Sequence, residues 1–341
     1  MILSFSVRNF RSIRQEARLL CVADSRVQEF QEHTRDLPGL PRKVLKATVV
    51  YGANGAGKSN VYRAMEFLVK LVLGNPIVGG KLDYLPFAFD AVAETVLDLQ
   101  FATHESVYRY AVMLTREAIV EERLERRSDD GGSLIFSRSA GEDGGVVTIG
   151  DGCGDGLSDK VRAQAVVGAP SSRTFLSLVN ENIKNGGRGR ILSAVLDWFK
   201  DVVFIGPDAR ISDLISPFKD EGFKAFVSGV LEQATGVAGL DPVSSRKTAA
   251  EVVKMIPDQR LRETVSKLSG RFSMHIGGTA HSEIELTRKE GESDFEATEL
   301  KAAHRLVDGS VGYLDVYEES DGTKRLLNLL PAIYKIIAVG G

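Results

Sequence analysis

Eight residues constrain this chain more than any others. Gly52-Ala53-Asn54-Gly55-Ala56-Gly57-Lys58-Ser59 fits the phosphate-binding pattern G-x-x-x-x-G-K-[ST] in full. Such a loop needs a strand before it and a helix after it. Ala47 to Tyr51 reads as a fully buried strand running into glycine, and Val61, Met65, Leu68, Val69 and Val72 recur at helical spacing until Gly74-Asn75-Pro76 stops the helix. Glycine lets backbone N–H groups turn inward on phosphates where a Cβ would crowd them, and the helix N-terminus adds positive dipole character. In that geometry Lys58 neutralises the β- and γ-phosphates of ATP. Ser59 lends its hydroxyl to Mg²⁺, a hard cation that prefers oxygen ligands. A glycine-rich turn matching by chance is the competing reading, and the flanking strand and helix weigh against it.

The rest of the chain reads as mixed α/β. Leu3, Phe5 and Val7 alternate with polar residues and predict a first strand. Thr95 to Phe101, Tyr108 to Leu114, Ile119 to Leu124 and Leu134 to Ser137 predict short antiparallel strands in a meander. Ser128 to Asp159 is crowded with Gly, Asp and Ser and predicts a mobile hairpin tip. From Ser171 to Gly270 the pattern turns largely helical over Ile191 to Phe199, Phe223 to Ala234 and Ala249 to Leu268, with a strand at Val202 to Ile205. Strand-like alternation resumes at Arg271 to Ile276, Glu283 to Thr287 and Gly312 to Tyr317, and an amphipathic helix covers Thr323 to Ile337. The expected organisation is an N-terminal lobe over 1–170, a mainly helical insertion over 171–270, and a return to the first lobe over 271–341. Neither an internal repeat nor a sustained heptad pattern is present, which excludes a long coiled coil.

A net charge of -3 gives no global electrostatic footprint for nucleic acid, although a local basic patch remains compatible with DNA binding. The two cysteines, Cys21 and Cys153, have no CxxC or disulfide-like spacing and read as buried thiols in a reducing compartment. No segment approaches the roughly 20 apolar residues of a spanning helix, and no signal-peptide run opens the chain, so the expected location is cytoplasmic, with no membrane partner. The five histidines show no metal-ligand spacing, and no G-x-S-x-G elbow supports hydrolase chemistry.

Two further stretches narrow the field of P-loop proteins. Val7-Arg8-Asn9-Phe10-Arg11-Ser12-Ile13 ends the first strand, and Glu319-Ser320-Asp321-Gly322-Thr323-Lys324-Arg325-Leu326-Leu327 opens the last helix. Together with Gly52 to Asn60 they resemble the prokaryotic ABC-type ATPases that include OLD-family nucleases, RecF and SMC-like proteins. The chain is most similar to the AAA-15 or AAA-21 type ATP-binding proteins of phage-defence operons. The resemblance implies an ABC-type ATPase head with a P-loop, an antiparallel meander and a helical insertion. It further implies that Ser320 and Gly322 contact the γ-phosphate on the P-loop of a second subunit, and that Arg11 and Ser12 reach the nucleotide phosphates. Ser320 also suits a plain helix N-cap, and an Arg at a strand end is also compatible with simple solvation. Gln100 has the spacing of a Mg²⁺-sensing glutamine, yet alternation puts it with Asp98 on a polar strand face.

Hydrolysis in that family needs an apolar run ending in Asp-Glu after the signature helix. The sequence reaches Gly341 just past that helix, so the expectation is a chain that ends before the Walker B segment and turns ATP over poorly. Val202 to Asp208 and Tyr313 to Glu319 do not substitute for it. The implied function is an ATP-gated homodimeric switch acting on an effector such as a nuclease or toxin. A RecF-type DNA-repair or tethering protein and a monomeric small-molecule kinase are the alternatives.

Overall fold

Leu3, Phe5 and Val7 are buried on one side of β1 (Ile2–Arg8), as their alternation with serine predicts. β2 (Ala17–Leu20) pairs with it, and two short ladders follow, β3 (Thr34–Arg35) with β4 (Val44–Leu45) and β5 (Ile77–Val78) with β6 (Lys81–Leu82). α1 (Lys58–Leu73) follows the glycine-rich loop and ends at Gly74. The meander is β7 (Thr95–Ala102), β8 (Val107–Leu114), β9 (Ile119–Ser128), β10 (Gly131–Gly141) and β11 (Gly144–Ile149). With β1 and β2 it makes one seven-stranded antiparallel sheet in the order β11-β10-β9-β8-β7-β1-β2. α2 (Asp159–Val167), α3 (Phe175–Asn182) and α4 (Arg190–Asp201) complete this part. The computed structural model describes residues 1–26, 29–37, 40–74, 77–78, 81–89, 93–128, 131–141, 144–184, 186–206, 217–256, 262, 272–276, 284–288 and 291–339.

The chain divides into two compact units, Met1–Phe204 and Ile205–Gly341, so the boundary falls inside the 171–270 stretch read from sequence as one insertion. In the first unit, Phe5, Leu97, Leu99, Phe101 and Tyr110 of the sheet pack with Leu68 of α1, Phe175 of α3 and Leu196 and Phe199 of α4. In the second, α5 (Glu221–Ala234), β12 (Gly239–Lys247), α6 (Ala249–Met255), β13 (Phe272–Ile276), β14 (Ile284–Arg288), β15 (Phe295–Arg305), β16 (Val311–Asp315) and α7 (Asp321–Val339) follow in order. β15 is its organiser, pairing with β12 along one side and with β14 and then β16 along the other. Phe223, Val227 and Leu231 of α5 pack with Leu300 and Ala302 of β15 and Leu327 and Leu330 of α7. Among the described residues, no helix is long and apolar enough to cross a membrane.

Several expectations are corrected. Ala47 to Tyr51 does not form a buried strand: it lies outside regular structure, with Val49 81% and Tyr51 90% exposed. An apolar run becomes a strand only beside a ladder partner, and none of the described strands lies alongside this one. Ser128 to Asp159 is not a mobile tip, because β10 pairs with β9 from Gly131 to Ser139 and carries β11 as the sheet edge from Phe136 to Gly141. Val202 to Ile205 forms no strand; Phe204 instead meets Tyr62 of α1 edge-on at 5.5 Å. The helix read over Ala249 to Leu268 is described as α6, while 257–261 and 263–270 lie outside the described residues. β12 and β15 had no sequence forecast. β12 carries Pro242 and is mostly exposed, which suits an edge strand held by its neighbour rather than by its own apolar pattern.

Candidate nucleotide-binding site

Gly55 and Gly57 adopt φ of 82° and 90°, the left-handed region that costs an L-residue about 1–2 kcal/mol. A Cβ on Gly55 would meet nothing within 4 Å, so conformation rather than space requires glycine there. Gly57 stands at the N-cap of α1, which has no capping side chain, whereas Ser158, Thr174, Asp220 and Thr248 cap α2, α3, α5 and α6. The first N–H groups of α1 are therefore left for an anion, with the positive end of the helix dipole behind them. Lys58 lies across the loop, its Nζ donating to Gly52 O at 2.6 Å and Ala53 O at 2.8 Å. Ser59 is exposed in the first helical turn. Backbone donors, an ammonium and a hydroxyl oxygen at one helix end suit phosphate, and suit Mg²⁺ shared with phosphate oxygens.

The residues after β1 are built onto this loop. Asn9 and Arg11 hold φ of 55° and 52°, uncommon for side-chain-bearing residues, with Phe10 and Ile13 exchanging backbone hydrogen bonds of 2.9 and 2.8 Å between and beyond them. Surrounding contacts fix the turn. Asn9 Nδ2 donates to Ala93 O at 2.7 Å, its Oδ1 accepts from Phe87 N at 3.1 Å, and its backbone oxygen accepts from Thr95 Oγ1 at 2.6 Å. The turn delivers Ser12 to α1, where its Oγ accepts from Asn60 Nδ2 at 2.7 Å. Arg11 lies beside it, and its buried Nε donor has no acceptor among the described residues. Arg11, Ser12 and Gly52 through Asn60 are thus one cluster, although they come from two sequence segments.

Gln100 is grouped differently. On β7 it pairs with Ser4 and Arg109, on the face of Asp98 and away from Leu97, Leu99 and Phe101, which pack toward α1. Its neighbours are the Asp98–Arg109 ion pair at 2.5 Å, not Ser59. Among the described residues, no group of three or more His, Cys, Asp and Glu side chains could hold a metal ion.

In the second unit Ser320 caps α7, its Oγ accepting from Thr323 N at 3.1 Å, and Asp321 and Gly322 are exposed at the helix start. Lys324 Nζ reaches Asp321 at 2.9 Å and Tyr317 O at 3.4 Å. Sequence reasoning gave the histidines no role. His304 nevertheless sits 2.6 Å from Glu319, the residue before Ser320, because the β15–β16 hairpin turns the chain back on itself. No sequence signal marks that contact, because β15, which carries His304, has no strand reading in the sequence.

A family profile described as "AAA domain, putative AbiEii toxin, Type IV TA system" matches residues 47–335. No curated protein matches the chain.

Proposed function

Because the chain belongs to the AAA_21 family of AAA-type P-loop domains, we propose that it is the nucleotide-binding head of an ATP-gated switch, of the kind found in OLD-, RecF- and SMC-like proteins. The observation that carries this reading is the uncapped start of α1, with Gly55 and Gly57 in left-handed conformation and Lys58, Ser59, Arg11 and Ser12 gathered around it. In this account the backbone N–H groups of Ala53 to Ser59 cradle the β-phosphate, and Lys58 leaves the loop carbonyls for the β- and γ-phosphates. Arg11 supplies guanidinium charge beside the phosphates, and Ser12 and Asn60 hold that turn in register. Ser59 would hold Mg²⁺ together with phosphate oxygens, where the ion neutralises charge on the γ-phosphoryl group.

Ser320 and Gly322 would complete the site of a second copy. An exposed, serine-capped helix start with no Cβ at its second residue allows a γ-phosphate to approach closely. Two copies would then close on two ATP molecules, and the closed state is favoured by the difference in ATP affinity between closed and open forms. The output is an associated effector, a nuclease or a toxin, in cytoplasmic phage defence. The family's description as toxin–antitoxin related supports the toxin class. DNA tethering is the second reading.

Lys58→Ala tests the nucleotide site. It should abolish ATP–Mg²⁺ binding by calorimetric titration while the thermal unfolding curve stays close to that of the parent, since the ammonium contacts only loop carbonyls. An unchanged ATP affinity would remove the phosphate-binding role.

A further inference from the structure

The segment Leu85-Pro86-Phe87-Ala88-Phe89 carries an aromatic ring, Phe89, that is 87% exposed. A single exposed apolar residue is ordinary, but this one stands on a segment fixed at three points to α1 and to the turn that carries Arg11 and Ser12. Tyr84, just before it, stacks on Phe10 with centroids 6.0 Å apart and planes at 2°, and lies 5.0 Å from Phe67 of α1. Leu85 O accepts from Arg11 N at 2.8 Å, and Phe87 N donates to Asn9 Oδ1 at 3.1 Å. The turn that carries Arg11 and Ser12, the helix that carries Lys58 and Ser59, and this segment therefore form one built unit. Pro86 stiffens it further by fixing its own φ. Phe87 packs edge-on to Phe89 at 5.6 Å and 63°, which leaves a face of Phe89 to solvent with a second ring supporting its edge.

We propose that Phe89 is the base-stacking platform of the nucleotide site, with Phe87 as its support; the inference rests on Gly52 to Ser59 binding the phosphates. A base presents a flat π-face, and an exposed ring on a segment tied to the turn that carries Arg11 and Ser12 can recognise it by stacking. Leu85 to Phe89 offers no polar side chain to read base edges. Stacking here is therefore indifferent to which purine is bound, and it contributes nothing to a ligand without a base.

The test titrates the whole chain with ATP, GTP and inorganic tripolyphosphate, each with Mg²⁺, for the parent, Phe89→Ala and Phe89→Trp. Phe89→Ala should raise the Kd for ATP and for GTP about ten-fold and leave that for tripolyphosphate unchanged, and Phe89→Trp should retain the parental values. The exposed ring contributes little to the core, so folding is not the variable. An unchanged ATP affinity in Phe89→Ala, or a parallel loss of tripolyphosphate affinity, overturns the proposal. A parent that binds none of the three ligands instead overturns the phosphate-binding reading, and the stacking role with it.

Discussion

Glu122 shows how one residue can hold two elements together. It lies on β9, 1% exposed, and accepts from Tyr110 OH at 2.9 Å and from the backbone N–H groups of Phe175 and Leu176 at the start of α3. Its charge faces the positive end of that helix. Burial is the largest influence on it and pushes its carboxyl above the usual range, against the hydrogen bonds that pull it down. Glu122→Ala should cost about 3 kcal/mol in denaturant unfolding, because three buried donors lose their acceptor. The pH effect has a defined sign. With the folded-state pKa raised, the contribution of Glu122 to stability is fully present below the unfolded value near 4.5 and is lost as pH rises through the raised folded value. The stability of the parent relative to Glu122→Gln should therefore fall as pH rises above the unfolded value. A difference that rises with pH would contradict this assignment.

At the scale of elements, the proposed switch would give α7 two separable duties at its first turn. As a cap, Ser320 satisfies Thr323 N, and Ser320→Ala should cost about 1 kcal/mol in thermal or denaturant unfolding. As a contact to a partner's nucleotide, it should tolerate alanine poorly in ATP-driven association even after that stability loss is allowed for. Much of this was legible in the sequence. Leu3, Phe5 and Val7 fixed the inner face of β1, the P-loop pattern located α1, and the Ser-x-Gly segment located the start of α7. Ala47 to Tyr51 misled, because apolar composition records a capacity to pair and does not name a partner. β12 escaped notice for the opposite reason: its nine residues are held by pairing to β15 and carry little apolar pattern of their own. The Asn9–Arg11 conformation and the contact of Ser12 with Asn60 join segments 48 residues apart, and no local pattern reports such a contact. Phe89 carries no sequence signal of exposure, because Leu85 to Phe89 is wholly apolar and reads like core, without the alternation that would separate a solvent face from a buried one.

At the scale of the whole molecule, the cluster of Arg11, Ser12 and Gly52 to Asn60, proposed to bind phosphate, belongs to the first unit and the Ser320 segment to the second. The proposed switch requires each to act on a nucleotide shared with another copy. Ser320→Arg should leave ATP binding to the single chain intact and block association, by bulk at the exposed helix start. Lys58→Ala should block association by removing ATP. An equal mixture of the two variants contains one pairing in which an intact P-loop faces an intact Ser320-Asp321-Gly322 segment. The decisive measurement is sedimentation velocity with ATP and Mg²⁺ on the parent, each variant and the mixture. The account predicts a dimer for the parent, monomers for each variant alone, and partial recovery of dimer in the mixture. A Ser320→Arg chain that dimerises like the parent, or a parent that stays monomeric at saturating ATP, would contradict it.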